Sequence, residues 1–480
     1  MRSAFLLVLV VSLVLSAYGA DQATSNGDAA GRSDRPQPAI VIDAVHANDF
    51  SLLGLQPHVY SYHQSAGYRR GFEYLQSRGF HRDFFVEGRL TAQRLSGRKL
   101  LFINLVSAER PPLLVSEIAA ICEFVADGGS LLVITDHSNC YYHAYRLQPL
   151  FVELGLETFT ATACEEPPLV LGEGNGWIAV RRFQEHPVTM GLRCIVPQTG
   201  GCVDPRYAVA LTSERAWADE WLIRMYGEDC LPGFYGNFYR DPDERAGPLG
   251  VVLAKELGKG RIVVVADQNI FGDTFINYAD NYRLWLNTMA WLLRDDSLRL
   301  PKRYEQSRRP RVLFYEEPAR AAFGLTDAEG CYHAMSFLNR SYWTFANDRL
   351  SDGADLIVFA RNDEPLGPEG PAALASHLRR GKNLLILRAD QESLDGPKGV
   401  VRQVLAALGQ SATPRHTKDG TLFQLGSGGE IRVLPEDLPV QNERMAPPSE
   451  PPKDEEKPRE RRLLEIMRQL LAKPSGPANE

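Results

Sequence analysis

DGGSLLVITDHSN, residues 127–139, decides the fold. It reads as a helix end, a Gly-Gly turn, an all-apolar strand from Leu131 to Thr135, and a polar tip of Asp136, His137, Ser138 and Asn139. A short apolar run bounded by glycines is the pattern of a parallel strand covered on both faces. In open α/β sheets ligands bind just beyond the carboxyl ends of such strands, which directs attention to the tip.

Working outward, the same pattern recurs. AIVIDA (39–44) ends in Asp43, KLLFINL (99–105) precedes a helix opened near Ser116, and KGRIVVVADQNIFGD (259–273) carries a strand ending at Asp267. Alternating strands and helices of this length build a parallel sheet, because each parallel crossover needs a connecting element and is right-handed. The expected class is therefore α/β, with a doubly wound parallel sheet. The stretch 157–250 differs: WIAVRRF and YAVALT lie between Gly and Pro turns, the mark of an antiparallel insertion or flap.

A second cycle follows the basic linker PKRYEQSRRP. RVLFYEE (311–317) parallels AIVIDA, ADLIVFA parallels KLLFINL, and LASHLRRGKNLLILRAD parallels EFVADGGSLLVITDH. An internal repeat, abbreviated because no second WLNTMAWLL is present, accounts for this; two unrelated α/β pieces are the alternative. The resulting division is a signal peptide (1–20), a solvated leader (21–38), a first α/β domain (39–298), a linker (299–310), an abbreviated second domain (311–435), a Pro- and charge-rich linker (436–458) and an amphipathic helix (459–473).

At 480 residues the chain exceeds what one core usually serves, which agrees with two domains. A net charge of -7 gives no reason to expect nucleic acid. The N-terminus has one Arg, an apolar run from Ala4 to Leu15 and then small residues, the layout of a signal peptide, with an uncleaved anchor as the alternative. The expected location is thus periplasmic or extracellular. In such a compartment some of the seven cysteines should pair, and Cys194 with Cys202, flanking Pro197 and Gly200-Gly201, is the expected bridge. The terminal helix, with Leu463, Leu464, Ile466, Met467, Leu470 and Leu471 on one face, could dock on the core, self-associate or lie on a membrane surface.

The candidate site residues are Asp43, His46 and Asn48 after the first strand, Asp136, His137 and Asn139 after the organising strand, and Asp267 and Asn269 after the last. Converged above a sheet edge they could bind a saccharide, hold a metal or act as an acid-base pair. The plainer alternative is helix capping and turn packing, for which Asp and Asn are favoured. No H-E-x-x-H, paired C-x-x-C or calcium-loop spacing occurs, so neither a metal nor a cofactor is expected, and the absence of G-x-S-x-G removes an esterase elbow.

GGSLLVITDH after an apolar helix, then HPVTMGL (186–192), TSERAWAD (212–219) and GKGRIVVVADQNIFGD followed by NYRLWLNTMAWLL, resembles the class I glutamine amidotransferase-like domains of the gliding-motility auxiliary and intraflagellar-transport type, and the related domain DUF4350. The resemblance spans residues 40–293, with a weaker copy from 311 to 434. It implies a flavodoxin-like fold, a three-layer sandwich. Catalytic relatives carry Cys at the turn after the organising strand; here that turn holds Asp136 and His137, and Cys140 comes too late for a tight elbow. What the resemblance implies is a non-catalytic binding or assembly module of the cell envelope, with a saccharide or an envelope protein as partner. The rival expectation is a hydrolase using Cys140 or a metal at the Asp/His cluster.

Overall fold

In the computed structural model, the structure describes residues 39–47, 68–166, 169–170, 176–220, 236–272, 275–276, 278–299, 310–315, 334, 338, 342–347, 353–359, 366–387, 399–426, 428–434, 438 and 457–472. Asn48, Asp273, Cys230, Cys331 and the N-terminal signal-like segment lie outside the described residues.

The first sheet is built from β1 (Ile40–Asp43), β2 (Arg82–Phe85), β3 (Leu100–Asn104), β4 (Ser130–Ile134), β6 (Arg182–Phe183), β7 (Ala208–Leu211), β9 (Gly250–Leu257) and β10 (Gly260–Val265); β5 (Ala161–Cys164) and β8 (Trp217–Glu220) pair separately. Its order is β2-β1-β3-β4-β10-β9-β7-β6. The strands β2, β1, β3, β4 and β10 run parallel, in register Leu101↔Leu131 and Leu131↔Ile262 across the centre. β9, β7 and β6 continue the sheet antiparallel. Part of the antiparallel stretch therefore extends the main sheet, while β5 and β8 form a small ribbon. The edge strand β2 had no apolar run to announce it: of RDFF only Phe85 is buried.

Strand alternation sends successive side chains to opposite faces. On one face Ile40, Ile42, Phe102, Leu132 and Val263 meet Phe72 and Leu75 of α1 (Arg69–Ser77) and the buried side of α5 (Asn281–Leu293). On the other, Val41, Leu101, Leu131 and Ile262 meet α2 (Ala92–Leu95), α3 (Val115–Ala126) and α4 (His143–Glu153). The three-layer α/β class expected from the sequence is what forms.

α5 explains the motifs that precede it. Asn287 donates to the Val188 and Met190 carbonyls at 3.1 and 2.9 Å, and His186 stacks edge-on against Trp291. Asn281 accepts from the Val196 amide at 2.8 Å and donates to the Val196 carbonyl at 3.1 Å. HPVTMGL and NYRLWLNTMAWLL are thus two halves of one packing unit, with buried Asn residues satisfying loop backbone that would otherwise be orphaned.

The second sheet comprises β11 (Arg311–Tyr315), β12 (Trp343–Asn347), β13 (Leu356–Phe359), β14 (Asn383–Ile386), β15 (Arg415–Thr417), β16 (Gly420–Gln424) and β17 (Glu430–Val433), in the order β12-β11-β13-β14-β17-β16-β15. The two sheets share one plan: five parallel strands, the fifth entered through an antiparallel hairpin from its preceding strand, then a further antiparallel neighbour. α6 (Gly370–Arg379) and α7 (Val400–Leu408) cover one face through Leu374, Leu378, Val400 and Val404.

The terminal helix α8 (Lys457–Ala472) covers the other face. Leu463, Ile466, Met467 and Leu470 are buried against Val312, Phe314, Leu356 and Leu385. Of the three readings open for its apolar face, docking on the core is the one observed. The same cluster includes Ala179, Cys194, Val196, Phe275 and Tyr278, so it joins the two sheets within one compact unit.

That arrangement corrects the expected bridge. Cys194 lies in the cluster shared with the second sheet, whereas Cys202 lies in the core beneath the first, and no disulfide joins them. The turn between them has another task. A Cβ on Gly200 would stand 2.7 Å from the Ala266 carbonyl oxygen, and one on Gly201 would stand 2.3 Å from that of Asp136. The Gly-Gly pair is there so that the backbone can lie directly on the ends of β4 and β10.

Candidate functional site

Strand parity decides which strand-end residues can meet. Asn104 follows Phe102, Asp136 follows Ile134 and Asp267 follows Val265, all two residues past side chains on the α1/α5 face. Asp43 follows Val41, which is on the α3/α4 face. The three aspartates therefore do not share one site: Asp136 and Asp267 come together, and Asp43 belongs elsewhere.

Asp43 works with His46 and Glu117. The Asp43 carboxylate accepts from His46 Nδ1 at 2.8 Å and from the Val45 amide at 3.0 Å. His46 Nε2 lies 3.6 Å from Glu117 Oε2, and Glu117 also accepts from the backbone amides of Leu90 and Leu114 at 2.8 and 2.9 Å. All three side chains are buried. Burial works against charge on the imidazole, but the hydrogen bond to Asp43 and the charges of Asp43 and Glu117 outweigh it and raise the His46 pKa. This is a structural clamp between the β1 loop and α3, built of groups that satisfy one another.

The Asp136–Asp267 group is less completely satisfied. Burial, and after it the charge on Asp267, pushes the Asp136 carboxyl well up, although the amide of His137 donates to it at 2.8 Å. Burial likewise pushes Asp267 up to about 7, against amides donated by Gln198 and Asn269, each at 2.7 Å. Two neighbouring buried carboxyls disfavour ionising together. Tyr68, at the start of α1, donates its hydroxyl to the Gln268 carbonyl. The Asn104 amide approaches that hydroxyl without reaching hydrogen-bond geometry. Both amide atoms of Gln198 and the Nε2 of Gln268 are buried without a hydrogen-bond partner. Such groups cost free energy unless something meets them.

The tip of β4 carries a third arrangement. Asp136, His137 and Cys140 bring one ligand atom each within 4.8 Å of one another. Ser138 adopts φ 49° and its hydroxyl bridges His137 Nδ1 and the Thr162 hydroxyl at 3.2 and 3.1 Å. Asn139 Oδ1 accepts from the Ala144 amide at 3.1 Å, which ties the tip to the first turn of α4. His143, on α4, is fully buried and pairs Nδ1 with the Thr135 hydroxyl at 3.2 Å, while its Nε2 has no partner. Burial pushes both His137 and His143 down to about 3. The Cys140 thiol is buried beside the Asp136 carboxyl; burial and that carboxyl push it well up.

That thiol is the reverse of an activated nucleophile, which needs a lowered pKa beside a cation or a helix N-terminus. Cysteine chemistry at Cys140 is not favoured in this setting.

Of the expected residues, Asp136, His137, Asn139 and Asp267 sit around one rim, Asn269 contributes a backbone amide to it, and Asp43 and His46 form the separate clamp. Tyr68, Asn104 and Gln198 were not singled out for the site, and Cys140 entered only through the rival hydrolase reading. Asn104 had the same signal as the aspartates, a polar residue ending an apolar strand; Gln198 had none, since only the Gly200-Gly201 approach brings it to Asp267.

No known protein-family profile matches the chain, and no curated protein matches it in sequence. Solved structures resemble part of it. The mmIFT52 N-terminal domain matches at 14% identity, over 53% of this chain and 97% of that one, with a TM-score of 0.37. A ThuA-like protein from Bacteroides uniformis matches at 16% identity, over 56% of this chain and 98% of that one, with a TM-score of 0.32. A β-galactosidase from Bacillus circulans sp. alkalophilus matches at 13% identity, over 55% of this chain and 32% of that one, with a TM-score of 0.30.

Proposed function

We propose that this chain is a non-catalytic, glutamine amidotransferase-like binding module of the cell envelope, and that it takes a saccharide at the rim of the first sheet. The observation that carries this reading is the set of polar groups at one sheet edge, Asp136, Asp267, Asn104 and Gln198, of which the amide groups of Asn104 and Gln198 have no matching hydrogen bond. A polyhydroxyl ligand offers a donor and an acceptor on each hydroxyl, which is the complement of mixed carboxyls and amides. The half-buried His137 and Asn269 are the members of the rim that reach solvent. The buried Cys140, whose thiol burial pushes well up, supports binding over bond cleavage.

Calorimetric titration of the full chain with envelope saccharides, preceded by a glycan-array screen, tests this reading. The expected result is saturable binding weakened at least about tenfold by Asp136→Ala and by Gln198→Ala in proteins that still melt cooperatively, the loss of one or two hydrogen bonds to a ligand being worth that much. Saturable saccharide binding that both variants retain unchanged would overturn the site, and no binding across the array would overturn the ligand class. The envelope location rests on residues 1–20, and export in the native host with removal of those residues is the expected outcome of fractionation and intact-mass measurement.

A further inference from the structure

We propose that Asp136, His137 and Cys140 form a zinc-binding site at the tip of β4. The three donors are a carboxylate oxygen, an imidazole nitrogen and a sulfur, already gathered within 4.8 Å of one another. That combination selects zinc among common divalent ions, because magnesium and calcium take oxygen ligands while zinc accepts sulfur, nitrogen and oxygen together. No spacing motif announced the site. The turn through Ser138 and Asn139 folds Cys140 back beneath the strand end, with the Cys140 amide donating to the His137 carbonyl at 3.3 Å.

Three features of the surroundings suit a cation. The Asp136 and Asp267 carboxyls are both buried beyond the ends of the adjacent strands β4 and β10, which places a second carboxyl beside the three donors. The His137 ring is held through Nδ1 by the Ser138 hydroxyl, itself fixed by Thr162, which is the kind of outer support that orients a metal-bound imidazole. His143 begins the helix α4 that follows the tip, and its fully buried Nε2 has no hydrogen-bond partner, which makes it a further nitrogen donor close in the chain. With three protein ligands, the fourth tetrahedral position stays open to water or to a hydroxyl of a bound molecule. On binding, the thiol proton and any proton on the Asp136 carboxyl leave to solvent as zinc takes their place. The site does not depend on the saccharide reading.

The test uses the full chain, stripped with a chelator, returned to metal-free buffer and titrated with zinc chloride alone by calorimetry, with cobalt(II) as a spectroscopic probe. One zinc per chain is expected, with heats that vary with buffer ionisation because protons are released, a rise in melting temperature, and a thiolate-to-cobalt charge-transfer band. Cys140→Ser should abolish the band, and His137→Gln should weaken zinc by about tenfold or more. His137 is half-buried, so its variant keeps the test available if Cys140→Ser does not fold. The proposal is overturned if the folded wild-type chain takes up no stoichiometric zinc, or if a folded variant binds zinc as the wild type does. No sugar is present in these titrations, so loss of this proposal leaves saccharide binding standing, and the reverse holds equally.

Discussion

Ser130 and Asn383 hold the same place in the two sheets. Each is the first residue of the fourth parallel-core strand by sequence, and each donates from its side chain to a carbonyl in the last turn of the covering helix: Ser130 Oγ to Leu292 at 2.6 Å, Asn383 Nδ2 to Leu470 at 2.5 Å. The terminal helix α8 therefore stands over the second sheet as α5 stands over the first. The second repeat looked abbreviated in the sequence because its last layer comes after the Pro-rich stretch. The two halves thus share a strand order and a helix anchor.

The first prediction follows directly. Asn383→Ala removes the donor to Leu470 and the acceptor for the Glu430 amide, 2.9 Å away, and should cost about 1–3 kcal/mol of stability. Ending the chain before residue 457 should do more, exposing Val312, Phe314 and Leu385 to water. Chemical denaturation and dye binding to exposed apolar surface check both; a truncated chain as stable as the full one would mean α8 is dispensable to the core.

Gly201→Ala should destabilise the rim. The added carbon would stand 2.3 Å from the Asp136 carbonyl oxygen, closer than non-bonded atoms approach, so the loop must lift. A cost of about 1–3 kcal/mol is expected from such overpacking, together with weakened saccharide and zinc binding, since Gln198 and the β4 tip would shift. Thermal melts of the variant beside Gly426→Ala, where the nearest atom, Gln410 Nε2, stands 3.8 Å away and the backbone is not left-handed, separate the steric effect from that of a glycine as such.

His377 should make the protein sensitive to acid. Its Nε2 donates to the Asn383 carbonyl at 3.0 Å, its Nδ1 is buried without a partner, and burial foremost lowers its pKa to about 4. Between about 6.5, the unfolded value, and about 4 the unfolded chain binds a proton that the native chain does not, so this contribution to stability is intact above about 6.5 and is lost as pH falls. The loss is at most about 3 kcal/mol. Urea denaturation from pH 7 to pH 4 should show a shallower decline for a folded His377→Gln variant; identical slopes would remove His377 from the account.

His46 should act in the opposite sense. Its pKa is raised in the folded state, so its ion pairing with Asp43 and Glu117 stabilises most below about 6.5 and fades as pH rises through the folded value. His46→Ala leaves two buried carboxylates without their common partner and should cost about 3 kcal/mol or more. The penalty should be larger at pH 6 than at pH 8, and a penalty that does not vary with pH would show that packing alone is lost.

The sequence by itself determined the class of the fold. Apolar runs such as Leu131 to Ile134 have no alternative to burial on both faces, and the spacing of Leu284, Trp285, Thr288, Trp291 and Leu292 requires a helix with a broad apolar side. It also marked the strand ends as polar. Only tertiary structure decided which of those ends meet, because that depends on strand parity and strand order: Asp43 points to the α3 face, while Asp136 and Asp267, more than a hundred residues apart, end adjacent strands on the other. The same holds for Cys194 and Cys202, near in sequence and in different cores, and for α8, whose apolar face named no partner until the second sheet presented one. Local patterns carry period and burial, whereas convergence is a property of neighbours that the chain brings together only when it folds.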